Sequence, residues 1–273
     1  MIALAPAPCR PRAVPRRAST APRATNANPF VLPLVLDPVA AVEKLAESAL
    51  LFILVRRESV RVRVDASLQD ALASGSTRIR GASVSGRDWR SPRALSCREI
   101  DMRVGACELD AAALASGRGV RFRAPARGRA SLTFDGADWG NFLTHDLMRD
   151  AAARARSTFA FEGGASARVT SSASDRRLEF RVRTPRDGRS RACEMRPSPN
   201  GGVDVRVARV DATESETTTA ETLATELRVF FETLVVHLDG SDLTYRSMTI
   251  HRSTVTFDLD LVVHRFPSPT VRF

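Results

Sequence analysis

The sequence contains a single lysine, Lys44, so 40 of its 41 basic residues are arginines. It also has few aromatic side chains, with one tyrosine and two tryptophans in 273 residues, and stacking platforms for bases are therefore scarce. Many arginines alternate with acidic or apolar residues, so the formal net charge of +10 indicates arginine-rich and alanine-rich coding more than a basic binding surface. We therefore predict no nucleic-acid partner.

Long apolar runs and catalytic motifs are also missing. The longest clean apolar run, Ala49 to Val55, is far shorter than the roughly 20 residues of a membrane-spanning helix, and Arg56 ends it. The four cysteines and four histidines show no metal-ligand spacing, and no phosphate-binding loop or nucleophile-elbow pattern occurs. We predict a protein that is not an enzyme and that uses no cofactor and no metal.

Residues 1–36 lack aspartate and glutamate altogether. They carry five arginines, and the segment from Pro6 to Pro29 contains six prolines, both ends included. This composition is typical of an organelle transit peptide, and the prolines disfavour the amphipathic helix of a mitochondrial presequence. We predict a disordered transit peptide over 1–36 and a chloroplast location, at the envelope or the thylakoid, with the mitochondrion as the alternative.

The remainder, 37–273, is predicted to be a single domain with few helices. Asp37 and Pro38 suit a helix start, and the apolar spacing predicts a helix over 38–57. A second helix is predicted over 136–155, and a short third one over Asp110–Ala115. The polar run Glu214–Thr222 is interpreted as part of a loop near 211–222.

Period-two alternation of apolar and polar residues dominates the same region. Strict alternation indicates strands with one apolar face and one polar, solvent-exposed face, which is typical of antiparallel sheets. The sequence predicts eight or more such strands but only two clear helices. Two helices are too few to cover the apolar faces of all these strands. Either the sheet closes into a barrel or sandwich, or it curls around a helix and leaves an apolar trough, for which a lipid is the natural filler. The segments centre on 60–64, 100–104, 120–124, 132–134, 178–182, 203–207 and 255–263.

The order of these features resembles the LmeA-like phospholipid-binding family. The segments that carry the resemblance are Val39–Arg57, Ser59–Asp65, Leu72–Gly86, Asp88–Arg98, Glu99–Leu109, Ala124–Leu143 and, as closing strands, Leu227–Pro267. The resemblance implies an α+β, β-rich fold in which a long curved antiparallel sheet wraps around one or two helices, of an elongated, tubular lipid-binding type. It also implies membrane association and no catalysis. Trp139 and the run 214–222 depart from the family pattern.

Together these features predict that the protein binds a phospholipid or glycolipid in an apolar groove at a plastid membrane surface. An extended form of this prediction is that the protein also transfers the lipid. The alternative is a membrane-associated structural or assembly factor without a bound ligand. The predicted groove residues are the inward-facing strand positions and one helix face: Leu132, Phe134, Trp139, Phe142, Leu143, Leu147, Val255, Phe257, Leu259 and Leu261.

Overall fold

The computed structural model describes residues 43, 44, 47, 54–66, 78–110, 121–163, 167–172, 175–211, 213–238 and 240–265. All of them belong to the second of the two units into which the chain divides, Met1–Leu36 and Asp37–Phe273. The predicted transit peptide and most of the predicted short helix Asp110–Ala115 lie outside the described residues.

Within the described residues, strands greatly outnumber helices. The helices with defined bounds are α1 (Gly136–Thr144), α2 (Asp146–Arg154) and α3 (Glu214–Glu232). The strands are β1 (Ser59–Ala66), β2 (Arg78–Arg90), β3 (Ser96–Val104), β4 (Cys107–Glu108), β5 (Arg121–Asp135), β6 (Ala160–Phe161), β7 (Arg168–Ser171), β8 (Arg176–Arg183), β9 (Ser190–Pro197), β10 (Val203–Val207), β11 (Val235–Leu238), β12 (Ser241–His251) and β13 (Thr254–Arg265).

The strands form two antiparallel sheets. The main sheet has eight strands in the order β1-β2-β3-β5-β13-β12-β11, with β4 paired to β2. The second sheet has five strands in the order β10-β9-β8-β6, with β7 paired to β8, and it packs against β12 of the main sheet. Among the described strands neither sheet closes on itself, and the α+β, β-rich, antiparallel fold is confirmed. The strands divide between two sheets where one was expected, because alternation identifies a strand but not its pairing partner.

The main sheet has one apolar face and one polar face. One row across it, from β1 through β2, β3 and β5 to β13, joins Val62, Val84, Met102, Ala130 and Leu259. Shifting each position by one residue gives a polar row, because successive side chains point to opposite sides of a strand. The apolar face, called the inner face here, carries the hydrophobic core.

The predicted helix over 136–155 is interrupted at His145. This residue is extended (φ −69°, ψ 153°) and ends α1, while its Nδ1 accepts a hydrogen bond from the N–H of Leu147 at 3.2 Å and so caps α2. Asp135 caps α1 by accepting from the N–H of Asp138 at 2.8 Å. The apolar spacing runs through the break, so it did not reveal the second cap.

The prediction of a polar loop over Glu214–Thr222 is wrong, since this run forms the first half of α3. Thr213 caps the helix by accepting from the N–H of Glu216 at 3.2 Å, which is half of a capping box. Threonine hydroxyls along the helix bond back to carbonyls four residues earlier, as Thr222 does to Thr218 at 2.8 Å. The expectation of closing strands from Leu227 is therefore also wrong for 227–232. The buried face of α3 holds the helix against the core through Ala220, Leu223, Leu227, Phe230 and Phe231.

The predicted helix 38–57 is described only in part. Residues 43, 44 and 47 are helical, whereas 54–57 are not, so the helix does not extend to residue 57. The N–H of Val55 instead donates to the carbonyl of Arg90 at 2.9 Å, and Arg56 forms a β-bridge with Arg90. Pairing with the end of β2 takes these backbone groups away from a helical ladder.

Candidate functional site

The structure brings all ten predicted groove residues together on the inner face. Eight are buried in one cluster: Phe134, Trp139, Phe142, Leu143, Val255, Phe257, Leu259 and Leu261. The other two, Leu132 and Leu147, are partly buried and pack against that cluster. The same cluster includes residues of the second sheet and of α3, so protein side chains cover the inner face over β5, β13 and β12.

Trp139 lies at the centre of this packing, with 1% of its surface exposed. Its ring stacks on Phe257 at a centroid distance of 4.9 Å and an interplanar angle of 19°. Further ring contacts connect it to Phe134, Phe142 and Phe231 at 6.2, 5.6 and 6.0 Å. Aromatic contacts of this kind stabilise a core beyond the area they bury.

The inner face continues over β1, β2 and β3, where Val62 is buried but most of the other apolar side chains are only partly buried. We call these residues the apolar strip: Val60, Val64, Ala82, Val84, Ile100, Met102 and Leu132. Met102 and Leu132 pack against the main cluster, and Val64 packs against a second cluster of Ile79, Cys107 and Ala126. The strip therefore joins the two clusters while keeping apolar surface accessible.

Small residues lie in the middle of the rows that form the strip. Gly86 lies between Val60 and Ile100, and the indole of Trp89 occupies the space a Cβ on Gly86 would need, with Nε1 2.0 Å from that position. Trp89 is buried and its Nε1 donates to the carbonyl of Ser59 at 2.8 Å. The Trp89 side chain therefore fills one end of the strip. Elsewhere in these rows, small side chains leave the surface of the strip close to the backbone.

Two glutamates lie at the outer edge of the strip. Glu43 accepts a hydrogen bond from the N–H of Val64 at 2.6 Å, and Glu47 accepts one from the N–H of Val62 at 3.0 Å. Both glutamates are helical and four residues apart, so they lie on one helix face. Their carboxylates satisfy backbone donors that an edge strand otherwise leaves open to pairing with another chain.

A group of charges fixes the β2–β3 hairpin to the start of α1. Arg98 bonds to Asp88 at 2.9 Å and to Asp135 at 2.9 Å, and the Ser96 hydroxyl donates to Asp138 at 2.5 Å. Burial raises the pKa of Asp138, with the nearby charge of Asp135 adding to the effect. This network positions α1, and with it Trp139, against the sheet.

The described cysteines are poorly suited to nucleophilic chemistry. Cys97, Cys107 and Cys193 are free thiols. Burial raises the pKa of Cys97 and of Cys193 to about 12, so the thiolate is scarce at neutral pH. Among the residues that the structure describes, no group of three or more histidine, cysteine or acidic side chains is placed to hold a metal ion.

A surface cleft of about 770 Å³ lies away from the strip, between the end of α2 and α3. Val229 and Phe230 supply its main apolar surface, and its charged lining residues are Glu221 and Glu226. Both oxygens of Glu226 already accept hydrogen bonds from Thr158, at 2.6 and 2.5 Å. One of the two carboxylates that line the cleft is therefore already engaged within the protein.

The sequence predicted the strands that carry the strip. Of the strip residues, only Leu132 was among the predicted groove residues. The signal was the alternation at 60–64 and 100–104, which indicated an inner face without showing which part of it stays uncovered. Trp89 was also missed, because a single aromatic in a polar stretch has no periodic signal.

Comparisons with protein-family models, with curated proteins and with solved structures find no match for this chain. No helix among the described residues is both long and apolar enough to cross a membrane.

Proposed function

We propose that this protein binds a phospholipid or other membrane lipid on the apolar strip, without catalysis, at a plastid membrane. The observation that carries the proposal is the change in burial along one sheet face. The inner face is closed by protein over β13, where Phe257 and Leu261 are buried, and partly open over β1–β3, where Val84 and Ile100 are not. The resemblance to the LmeA-like family supports the same function, and the composition of residues 1–36 supports the plastid.

Acyl chains suit such a strip because they need no specific polar partner. Burying one methylene contributes about 0.8 kcal/mol, so on the order of ten methylenes contribute roughly 8 kcal/mol before the cost of association. The small side chain of Ala82 leaves room for a chain to lie close to the backbone there, whereas Trp89 fills the space beside Gly86.

The proposal is tested by identifying lipids that co-purify with the full-length chain, using mass spectrometry. Val84→Gln and Met102→Gln place amides on the strip, and we expect both variants to lose bound lipid. Ser85→Gln and Asp101→Asn change the neighbouring residues on the opposite face of the same strands and serve as matched controls.

Wild-type protein that is stable, carries no lipid and takes up none from vesicles would contradict the proposal. Equal loss of lipid in the strip variants and in their controls would contradict the assignment to this face. Circular dichroism of each variant separates loss of binding from loss of folding.

A second candidate function is a membrane-associated structural or assembly factor without a ligand. The observation that favours it is the burial of eight predicted groove residues, among them Trp139, Leu143 and Val255, by other protein side chains. This candidate predicts that strip variants alter association with other proteins and leave lipid content unchanged.

A further inference from the structure

The outer face of the main sheet carries a concentration of arginines directly behind the apolar strip. We call it the basic face, and its residues are Arg61, Arg63, Arg103, Arg127 and Arg129. All five are exposed. Since neighbouring strands lie about 4.8 Å apart, the four strands β1, β2, β3 and β5 span roughly 14 Å between outermost axes.

Two of these arginines repel each other across the sheet. Arg103 and Arg129 lie directly opposite each other on β3 and β5, and like charges in that position are destabilising, while Asp260 on β13 lies opposite Arg129 on its other side. Asp101 binds Arg103 through two hydrogen bonds, of 2.8 and 3.0 Å. Arg61, Arg63, Arg127 and Arg129 form no ion pair within the described part of the chain.

The second sheet handles its arginines differently. Arg177 pairs with Asp175, Glu179 and Glu194, and Arg196 pairs with Asp175 at 3.1 Å. Arg177 and Arg196 of that sheet therefore have acidic partners, whereas among the five arginines of the basic face only Arg103 has one within the described residues. A local arrangement that opposes stability is expected where an external partner supplies the compensation.

The surroundings of the arginines favour a flat anionic partner. Ser83, Ser85 and Ser131 lie between them on the outer face, so their nearest neighbours on the described strands are small. The described outer-face positions among them include no aromatic residue that could stack on a base, and a face four strands wide does not fit a DNA groove about 12 Å wide. The face ends at β13, where Asp258 and Asp260 reverse the charge.

We infer that the basic face docks this protein on the surface of an anionic lipid bilayer. The inference goes beyond the proposed function by naming the face through which the protein docks on a membrane, on the side of the sheet opposite the apolar strip. Each arginine near an anionic bilayer strengthens binding about fivefold, so the four unpaired arginines together account for several hundred-fold. The attraction is electrostatic and weakens as salt is added.

The experiment measures co-sedimentation of the full-length chain with vesicles of phosphatidylcholine alone and of phosphatidylcholine mixed with phosphatidylglycerol. The test variant carries Arg61→Gln, Arg63→Gln, Arg127→Gln and Arg129→Gln. The control variant removes four charges from exposed positions elsewhere, at Arg168, Arg176, Arg186 and Arg228.

Wild-type protein and the control variant are expected to bind vesicles that contain phosphatidylglycerol and not vesicles of phosphatidylcholine alone. The test variant is expected to lose several hundred-fold in affinity for the phosphatidylglycerol vesicles. Equal losses in both variants would show that net charge and not this face matters, and unchanged binding of the test variant would also refute the inference. Salt-sensitive binding to duplex DNA that depends on these four arginines, with vesicle binding unaffected, would assign the face to nucleic acid instead.

Failure of the proposed function is distinguishable from failure of this inference. Val84→Gln removes apolar surface on the inner face and is expected to leave vesicle binding unchanged. Vesicle binding through the arginines without any lipid in the purified protein would overturn the proposed function and leave the basic face standing.

Discussion

Glu216→Gln tests the ion pair that holds the start of α3 to β9. The Arg191 side chain has 0% of its surface exposed and that of Glu216 has 5%. The guanidinium donates to both carboxylate oxygens of Glu216, at 2.8 and 2.9 Å, and also to the Thr184 hydroxyl at 2.5 Å and to Asp187 at 2.6 Å. This arrangement is a bidentate pair excluded from water.

Removing one partner of a buried pair costs about 3–5 kcal/mol because the other charge is left without compensation. We expect Glu216→Gln to cost about 3 kcal/mol, at the lower end of that range, since Asp187 remains in contact with Arg191. Replacing both residues by methionine removes the charge together with its desolvation penalty. The double variant is therefore expected to be closer to wild type than Glu216→Gln is.

Urea unfolding of the full-length chain, followed by circular dichroism, measures these differences. Glu221→Gln, on the exposed face of the same helix, is the control and is expected to stay within about 0.5 kcal/mol of wild type. A cost below about 1 kcal/mol for Glu216→Gln would refute the reasoning, as would a double variant that is less stable than Glu216→Gln.

The same pair has a pH signature. The hydrogen bond from Arg191 holds the pKa of Glu216 below its ordinary value of 4.5. A carboxylate whose pKa is lowered by folding stabilises the protein above the unfolded-state pKa, and this contribution disappears as the pH falls through the folded-state pKa. Wild-type stability should therefore fall in acid more steeply than that of Glu216→Gln.

Three further predictions concern a helix cap and two sites of restricted backbone geometry. Burial lowers the pKa of His145 below 6.5, so stability should fall as the pH drops below that value; His145→Asn keeps a capping acceptor and should flatten this dependence in urea titrations. A Cβ on Gly128 would stand 1.9 Å from the carbonyl oxygen of Arg103, so Gly128→Ala should cost about 1–3 kcal/mol, whereas Gly163→Ala meets nothing within 4 Å and should be nearly neutral. Arg156 follows α2 with φ +55°, so Arg156→Gly should raise the melting temperature through a gain of about 1 kcal/mol, and an unchanged or lower value would contradict this.

Some of the fold was readable from local pattern alone. The alternation at Val60–Val64 and Val203–Val207 predicted strands that the structure confirms, because a half-buried antiparallel strand needs this period. Gly188, Gly201 and Gly240 adopt positive φ, where glycine carries no steric penalty. These features depend on residues close in sequence, so the sequence contains the whole signal.

The candidate site was only partly readable. The predicted groove residues, such as Trp139 and Phe257, do lie together on the inner face, but they form its covered part. Which part of that face stays open depends on where the second sheet and α3 pack, and this is a long-range choice that no short pattern encodes.

For this protein, the sequence by itself determined several strands, among them β1, β10 and β13, and which face of each of them is apolar. It also contained the charge and proline pattern that predicts a transit peptide. The tertiary structure alone decided that the strands form two sheets, that Glu214–Glu232 is a helix held by Arg191, and that arginines of separate strands lie side by side behind an open apolar strip. The physical reason is that periodicity is set by neighbours along the chain, whereas burial, ion pairing and the opposition of like charges are set by residues that folding brings together.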